Sequence, residues 1–377
     1  MRRFFAVCLM AIASAAHAGM DDDIQHAVES FMQQYQVPGV AVAVTVDGKE
    51  HYYNYGVASR TTQQKVTSDT LFEIGSISKT FTATLAAYAQ TQGKLSLTDR
   101  PGKFFPELKG SDFDNVTLLN LGTHTAGGFP MQVPDDIQSH AQLIAYFKAW
   151  KPQYPVGTQR TYANPSVGML GLITAKAMQM PFDAAMERML LPKLGMSHTY
   201  LHVPSAQLPR YAQGYNSKDA PVRVNPGMLW EEAYGVKTNA KDLLRFVEIN
   251  LGAIHVEDKL KRAVEATHMG YFKLGAMSQD LIWEQLPLPL RLDDLLESSS
   301  DKVVLQNNVV TPWHPPLAPQ QDVLIHKTGS TAGFGAYAAF IPSKKIGIVL
   351  LINHSTPMDG RLRLAYAILG AAGAASN

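Results

Sequence analysis

The sequence predicts an α/β (α+β) chain: an antiparallel sheet assembled from both ends, flanked by the two terminal helices, with an all-helical lobe inserted between them. Three observations predict it. Short apolar strand patterns joined by tight turns occur near both termini. A helix with one apolar face lies just outside each set of strands. The long middle of the chain repeats its apolar residues at helical spacing, in runs broken by Pro and Gly. At 377 residues, 46% of them hydrophobic, the chain is long enough for two lobes sharing a cleft.

Asp21 to Tyr35 opens with acids, which suit the positive end of a helix, and Ile24, Val28, Phe31, Met32 and Tyr35 share one face. Val40 to Val46 reads as a strand, Asp47-Gly48 as a two-residue hairpin turn, and Lys49 to Ala58 as the return strand. The far end mirrors this. Val323 to Thr328, Gly335 to Ile341 and Ile346 to Asn353 read as three strands, the last two joined by Pro342-Ser343-Lys344-Lys345. A final helix is expected from Asp359 to Gly370, with Leu362, Ala365, Tyr366 and Leu369 on its inner face. Between these ends, Ser139–Trp150, Ser166–Met180, Phe182–Leu191 and Asn239–Leu251 carry helical patterns. Leu286 to Gln321 is poorly periodic and proline-rich, and is read as a surface excursion around the cleft. The expected division is a leader over 1–18, an α/β lobe from 19–75 and 283–377, and a mainly helical lobe over 76–282.

Composition excludes several classes. The 33 basic and 32 acidic side chains give a net charge of +1, so nothing calls for nucleic acid or an anionic membrane. Arg2-Arg3, an apolar stretch from Phe4 to Ala16 and the A-x-A site Ala16-His17-Ala18 read as a cleavable export signal of the ordinary Sec kind. The stretch is about half a bilayer span. The expected product is a soluble periplasmic protein with no membrane anchor, and a monomer by default. The single cysteine, Cys8, lies in the leader without a lipobox, so the mature chain can form no disulfide.

Three short strings carry the chemistry: Ser76-Ile77-Ser78-Lys79, Tyr162-Ala163-Asn164 and Lys327-Thr328-Gly329. Ser76 opens a helical run, and positions three apart share a helix face, so the Lys79 amine can reach the Ser76 hydroxyl. A serine hydroxyl is a poor nucleophile without a neighbouring base. A lysine desolvated near another cation can supply one. The helix start also leaves amide donors free for a developing oxyanion. Lys327-Thr328-Gly329 reads as a cationic strand on which glycine lets a ligand or a second backbone approach closely. Together these are the parts of covalent acyl transfer, with no cofactor and no metal. Singly they are weak. Ser299-Ser300-Asp301-Lys302 also fits S-x-x-K but follows three acids and reads as a solvated loop, and Tyr52-Tyr53-Asn54 fits Y-x-N inside the first hairpin.

The chain resembles the class C (AmpC-type) serine β-lactamases. The resemblance covers essentially the whole mature chain and rests on Phe72 to Thr80, Gln132-Val133-Pro134-Asp135, Tyr162-Ala163-Asn164, Val224-Asn225-Pro226-Gly227, Ala233 to Lys237 and His326 to Gly329. His268 to Lys273 and Trp283 to Leu286 resemble the ACC branch of plasmid-borne members. The resemblance implies the β-lactamase/penicillin-binding-protein (transpeptidase-like) fold and a periplasmic hydrolase that opens the β-lactam amide, cephalosporins preferred, and confers β-lactam resistance. Ser76 is then the nucleophile; Lys79 and Tyr162 share proton transfer, with the base left open between them; Lys327 supplies positive potential. The oxyanion hole is implied at the N–H groups of Ser76 and Ser330. Gln132, Asn164, Tyr234, Thr328, Gly329 and Arg361 are the implied substrate contacts. One departure stands out: where many relatives read Asn-Lys-Asn-Tyr-Pro-Asn-x-x-Arg, this chain has Ser355 and Met358 in place of two asparagines, while Arg361 remains.

The serious rivals share the fold: a D-alanyl-D-alanine carboxypeptidase or penicillin-binding protein, and a family VIII-type esterase. A non-hydrolytic penicillin-recognising protein would need a broken site, and all three strings are intact. His198 and His202 lack the Glu of a zincin helix. No G-x-S-x-G and no E-x-x-L-N segment of the class A kind occurs. His124 and His326 border the strings and are expected to be hydrogen-bonded structural residues.

Overall fold

A computed structural model describes the backbone of residues 2–374 and the side chains of residues 19–374. The leader expected over residues 1–18 lies outside the residues described in full. No helix among the described residues is long and apolar enough to cross a membrane.

Nine strands form one antiparallel sheet. In chain order they are β1 (Gly39–Val46), β2 (Lys49–Gly56), β3 (Gly270–Leu274), β4 (Met277–Gln279), β5 (Glu284–Pro287), β6 (Thr311–Leu317), β7 (Val323–Ser330), β8 (Gly335–Ile341) and β9 (Ile346–Ile352). Their order across the sheet is β6-β3-β4-β5-β7-β8-β9-β1-β2. The two chain ends meet where β1 pairs with β9, in the register Val42 opposite Leu350.

The inner strands are apolar along their whole length because both faces are covered. Val40, Val42, Val44, Ile348, Leu350 and Ile352 point into one core with Ile24, Val28 and Phe31 of the first helix (Arg2–Tyr35) and Leu362, Ala365 and Leu369 of the last (Met358–Ala371). The alternate residues Ala41, Ala43, Ala336, Ala338, Val349 and Leu351 point into a second core with Phe81 and Phe246. So the terminal helices lie together on one face. The helices Ser78–Thr91 and Ala240–Asn250 cover the other, where Phe81 stacks on Phe246 at 4.1 Å. A third core, around Phe113, Phe147, Leu170 and Ile173, belongs to the helical part of the chain.

The expected end strands and both terminal helices are present. The structure departs from expectation in three places. The hairpin of β3 and β4 joins the sheet although residues 270–279 fall in the expected helical lobe, so the sheet draws on chain well before residue 283. The stretch 286–321 is not an irregular excursion: it holds helices Leu292–Ser298 and Asp301–Leu305 and the strand β6. Its prolines are compatible with β6 because that strand is at the sheet edge and needs no donors on its outer side. The expected helix over 182–191 is instead a composite, with a wide turn at Ala185–Leu190 between short α-helical pieces.

Candidate active site

Ser76 sits in a tight 3-10 turn, Gly75–Ile77, that runs directly into the helix Ser78–Thr91. The end of β7 lies against this turn. A Cβ at Gly329 would collide with the Ile74 carbonyl, and one at Gly75, where φ is +49°, would collide with the Ser330 backbone. These two glycines are therefore required by close approach, and they bring the amides of Ser76 and Ser330 to one place. Tyr162 follows the short strand Gln159–Thr161, and Asn164 is the first residue of the helix Asn164–Met178.

These elements converge on a cavity of about 210 Å³, lined among others by Ser76, Gln132, Tyr162, Asn164, Lys327, Thr328, Gly329 and Ser330. Its walls come from the helical part of the chain on one side and from β5 and β7 on the other. Lys79 is fully buried. Its Nζ donates to Ser76 Oγ at 3.1 Å, to Asn164 Oδ1 at 2.6 Å and to the Ala233 carbonyl at 2.8 Å. Burial lowers this ammonium from its usual range; Lys327 adds to the effect and Tyr162 opposes it. Nζ lies 5.2 Å from the Tyr162 ring centre and Lys327 Nζ lies 5.1 Å from it. Burial pushes the Tyr162 phenol up, but Lys327, Lys79 and a hydrogen bond from Ser76 outweigh it, and the phenol is lowered to about 8.

The positive charge is held in place by residues with no local signature. Glu284, on β5, is buried and bridges Arg160 at 2.7 Å and Lys327 at 3.7 Å. Burial would raise its carboxyl; Lys327 and Arg160 reverse that and lower it. Arg160 is itself enclosed, donating to Gln279 Oε1 at 2.6 Å and to the Val303 carbonyl at 3.0 Å. Breaking a buried ion pair leaves an uncompensated charge, so Arg160→Met is expected to cost about 3–5 kcal/mol of folding stability. Chemical denaturation would show it; a loss below about 1 kcal/mol would mean that Lys327 alone suffices for Glu284.

Several expected residues are placed differently from their anticipated contacts. Arg361 is buried, and its guanidinium donates to the Gly329 carbonyl and to Ser330 Oγ, the latter at 3.0 Å, rather than lining the cavity. Burial lowers it to about 10. Tyr234 does not line the cavity either; its hydroxyl is held at the Gly227 backbone, while the neighbouring Ala233 carbonyl holds Lys79. Ser299 is not in a solvated loop. It is 3% exposed and lines the cavity beside Ser76, and Ser300 caps the helix Asp301–Leu305. His124 Nδ1 accepts from Ala163 N at 3.3 Å, as a structural histidine should. His326 does not follow suit: neither ring nitrogen has a hydrogen-bond partner among the described residues, and burial lowers it to about 4. Met358, one of the two departures from the family pattern, lines the cavity and also a larger neighbouring one of about 600 Å³. Among the described residues no group of three or more His, Cys, Asp or Glu is placed to hold a metal ion.

Glu284, Arg160 and Ser299 were not anticipated as site residues. Glu284 and Arg160 are 124 positions apart, so no spacing rule links them.

Comparison with known proteins places the chain in a family. The family model described as Beta-lactamase matches residues 24–373. A beta-lactamase of Lysobacter lactamgenus is 61% identical over 381 residues, covering 99% of each chain. A solved class C beta-lactamase in complex with cefoxitin superposes with a TM-score of 0.91 at 50% identity, covering 94% of this chain and 99% of that one. A Beta-Lactamase/D-Alanine Carboxypeptidase from Pseudomonas syringae superposes with a TM-score of 0.92 at 51% identity, covering 93% and 98%.

Proposed function

This chain belongs to the β-lactamase family, as a class C serine enzyme that hydrolyses β-lactams, and from that premise we propose how its residues divide the reaction. Ser76 Oγ attacks the lactam carbonyl. Tyr162 accepts its proton, because Lys327 and Lys79 lower the phenol to about 8, and Lys79 as an ammonium can donate to all three of its neighbouring oxygens. The carbonyl oxygen becomes an oxyanion held by the N–H groups of Ser76 and Ser330. The C–N bond breaks, Tyr162 returns the proton to the lactam nitrogen, and the acyl group stays on Ser76 as an ester. Tyr162 then takes a proton from water, which attacks the ester; the acyl–oxygen bond breaks and Tyr162 passes the proton to Ser76 Oγ.

Lys327 holds the phenolate and faces the substrate carboxylate. Gln132 and Asn164 receive the side-chain amide of the substrate, and Thr328 and Gly329 form the strand it lies along. Arg361 serves by holding the end of that strand, and Tyr234, held at Gly227, acts from outside the cavity lining. The observation that carries this reading is the Lys79–Ser76 contact of 3.1 Å beside a phenol lowered to about 8. The cavity lies where the sheet-bearing and helical parts of the chain meet, so the two-lobe division is part of the same reading. So are periplasmic location, from the leader pattern, a monomeric state, cephalosporin preference, and a place near the ACC branch, from His268–Lys273 and Trp283–Leu286.

A chromogenic cephalosporin should be turned over many times per enzyme molecule. A single stoichiometric burst ending in a stable adduct would instead support a penicillin-binding role. One structural relative carries both activities in its name, so release of D-alanine from a D-alanyl-D-alanine peptide is the second arm of the test. Hydrolysis of a p-nitrophenyl ester in preference to both would favour an esterase.

The departures at 355 and 358 bear on the carboxylate. Met358→Asn adds a donor inside the cavity and is expected to tighten carboxylate-bearing boronate inhibitors about threefold to tenfold, the net worth of one ordinary hydrogen bond. Ser355→Asn, outside the lining, should do less. Inhibition constants unchanged in the double variant would remove the idea.

A further inference from the structure

Glu73 lies three residues before Ser76 and is 1% exposed. Nothing in the acyl-transfer reading uses it, yet its carboxylate collects donors from three distant parts of the chain. Tyr211 Oη donates to Oε1 at 2.5 Å and Val224 N to the same oxygen at 2.8 Å. Thr331 Oγ1 donates to Oε2 at 2.5 Å. Across the short strand pair Glu73 stands opposite Lys237, and Arg223 stacks 4.0 Å over the Tyr211 ring.

The Thr331 bond has a consequence for the reacting centre. Thr331 follows Ser330 directly, and its N–H donates to the Phe334 carbonyl at 3.0 Å, closing the turn between β7 and β8. Ser330 backbone rests on Gly75. One carboxylate therefore contacts both sides of the place where the Ser76 and Ser330 amides meet. It sits on the chain that leads into the Ser76 amide, and it grips the residue that follows the Ser330 amide. A buried carboxylate needs its full set of donors, so it resists rearrangement of either side.

We propose that Glu73 is a positioning residue for acyl transfer, its carboxylate setting the spacing of the Ser76 and Ser330 amides through Thr331. This rests on the oxyanion role given to those two amides above. Such donors act only when placed where the oxyanion forms, and small displacements are costly.

The test uses the full chain with Glu73→Gln, Thr331→Val and Tyr211→Phe. Readouts are kcat and KM for a chromogenic cephalosporin, the inhibition constant for phenylboronic acid, which forms a tetrahedral adduct on a serine hydroxyl, and the melting temperature. Glu73→Gln and Thr331→Val are expected to lose roughly tenfold or more in kcat, with KM little changed. Phenylboronic acid should weaken by the same factor, while melting temperature stays within a few degrees. Tyr211→Phe keeps the Thr331 bond and should lose less than threefold. Thr331→Val with kcat and boronate affinity within twofold of the parent, or losses that follow melting temperature alone, would overturn the proposal. If the parent and Ser76→Ala bound phenylboronic acid equally well, the oxyanion reading itself would fall, and the role of Glu73 with it.

Discussion

Ser76→Ala is expected to lower kcat for a chromogenic cephalosporin by about 10⁴-fold or more, because Ser76 carries the cavity hydroxyl that Lys79 Nζ contacts. The variant should fold normally. Ser76 Oγ supplies only one of the acceptors of Lys79, and Asn164 Oδ1 and the Ala233 carbonyl remain. The backbone contacts of Gly75 with Ser330 do not involve the hydroxyl. Intact-protein mass spectrometry after brief exposure to a slow β-lactam should show an adduct on the parent and none on the variant. Turnover within tenfold of the parent, with a normal melting temperature, would show that the nucleophile lies elsewhere.

Tyr162→Phe should cost about 10²–10⁴ in kcat/KM, the range a positioned general acid–base supplies. The pH profile is the more discriminating result. A base must be deprotonated to act, so kcat/KM for the free enzyme should rise with pH through the phenol's value of about 8 and level off above it. Lys327 is the largest of the influences that lower this phenol. Removing its charge, as in Lys327→Met, leaves burial less opposed and should move the rising limb to higher pH. If the limb stayed in place in Lys327→Met, or survived in Tyr162→Phe, the titrating base would be another group, with Lys79 first in line.

The parts of this molecule that were legible in its sequence are those that local geometry settles. Alternation and turn residues placed β1, β2, β7, β8 and β9 to within a residue or two. Three-residue helical spacing put Lys79 against Ser76 before any coordinates. The hairpin at 270–279 was hidden because its alternation is short and lies among helical segments. Residues 286–321 were hidden because an edge strand tolerates prolines that ordinarily argue against a strand.

Local pattern also misjudged Ser299, and the contact expected of Arg361 came from the family resemblance. Polar neighbours suggested solvent around Ser299, but the helices on either side fold it into the cavity. Arg361 kept its family position while the fold directed its guanidinium to the end of β7. Whether a charge faces substrate or backbone depends on which atoms the fold brings opposite it, and those atoms are tens or hundreds of residues away.

The sequence alone determined the terminal strands, the helix that presents Ser76 and Lys79 on one side, and the glycine at the tip of the cationic strand, because each depends on bonds and faces within a few residues. Tertiary structure alone decided that Glu284 joins Arg160 to Lys327, that Tyr162 lies between two ammonium groups, and that Glu73 binds Thr331. Electrostatic and hydrogen-bonding energies depend on distance in space and on exclusion of water, and separation along the chain encodes neither.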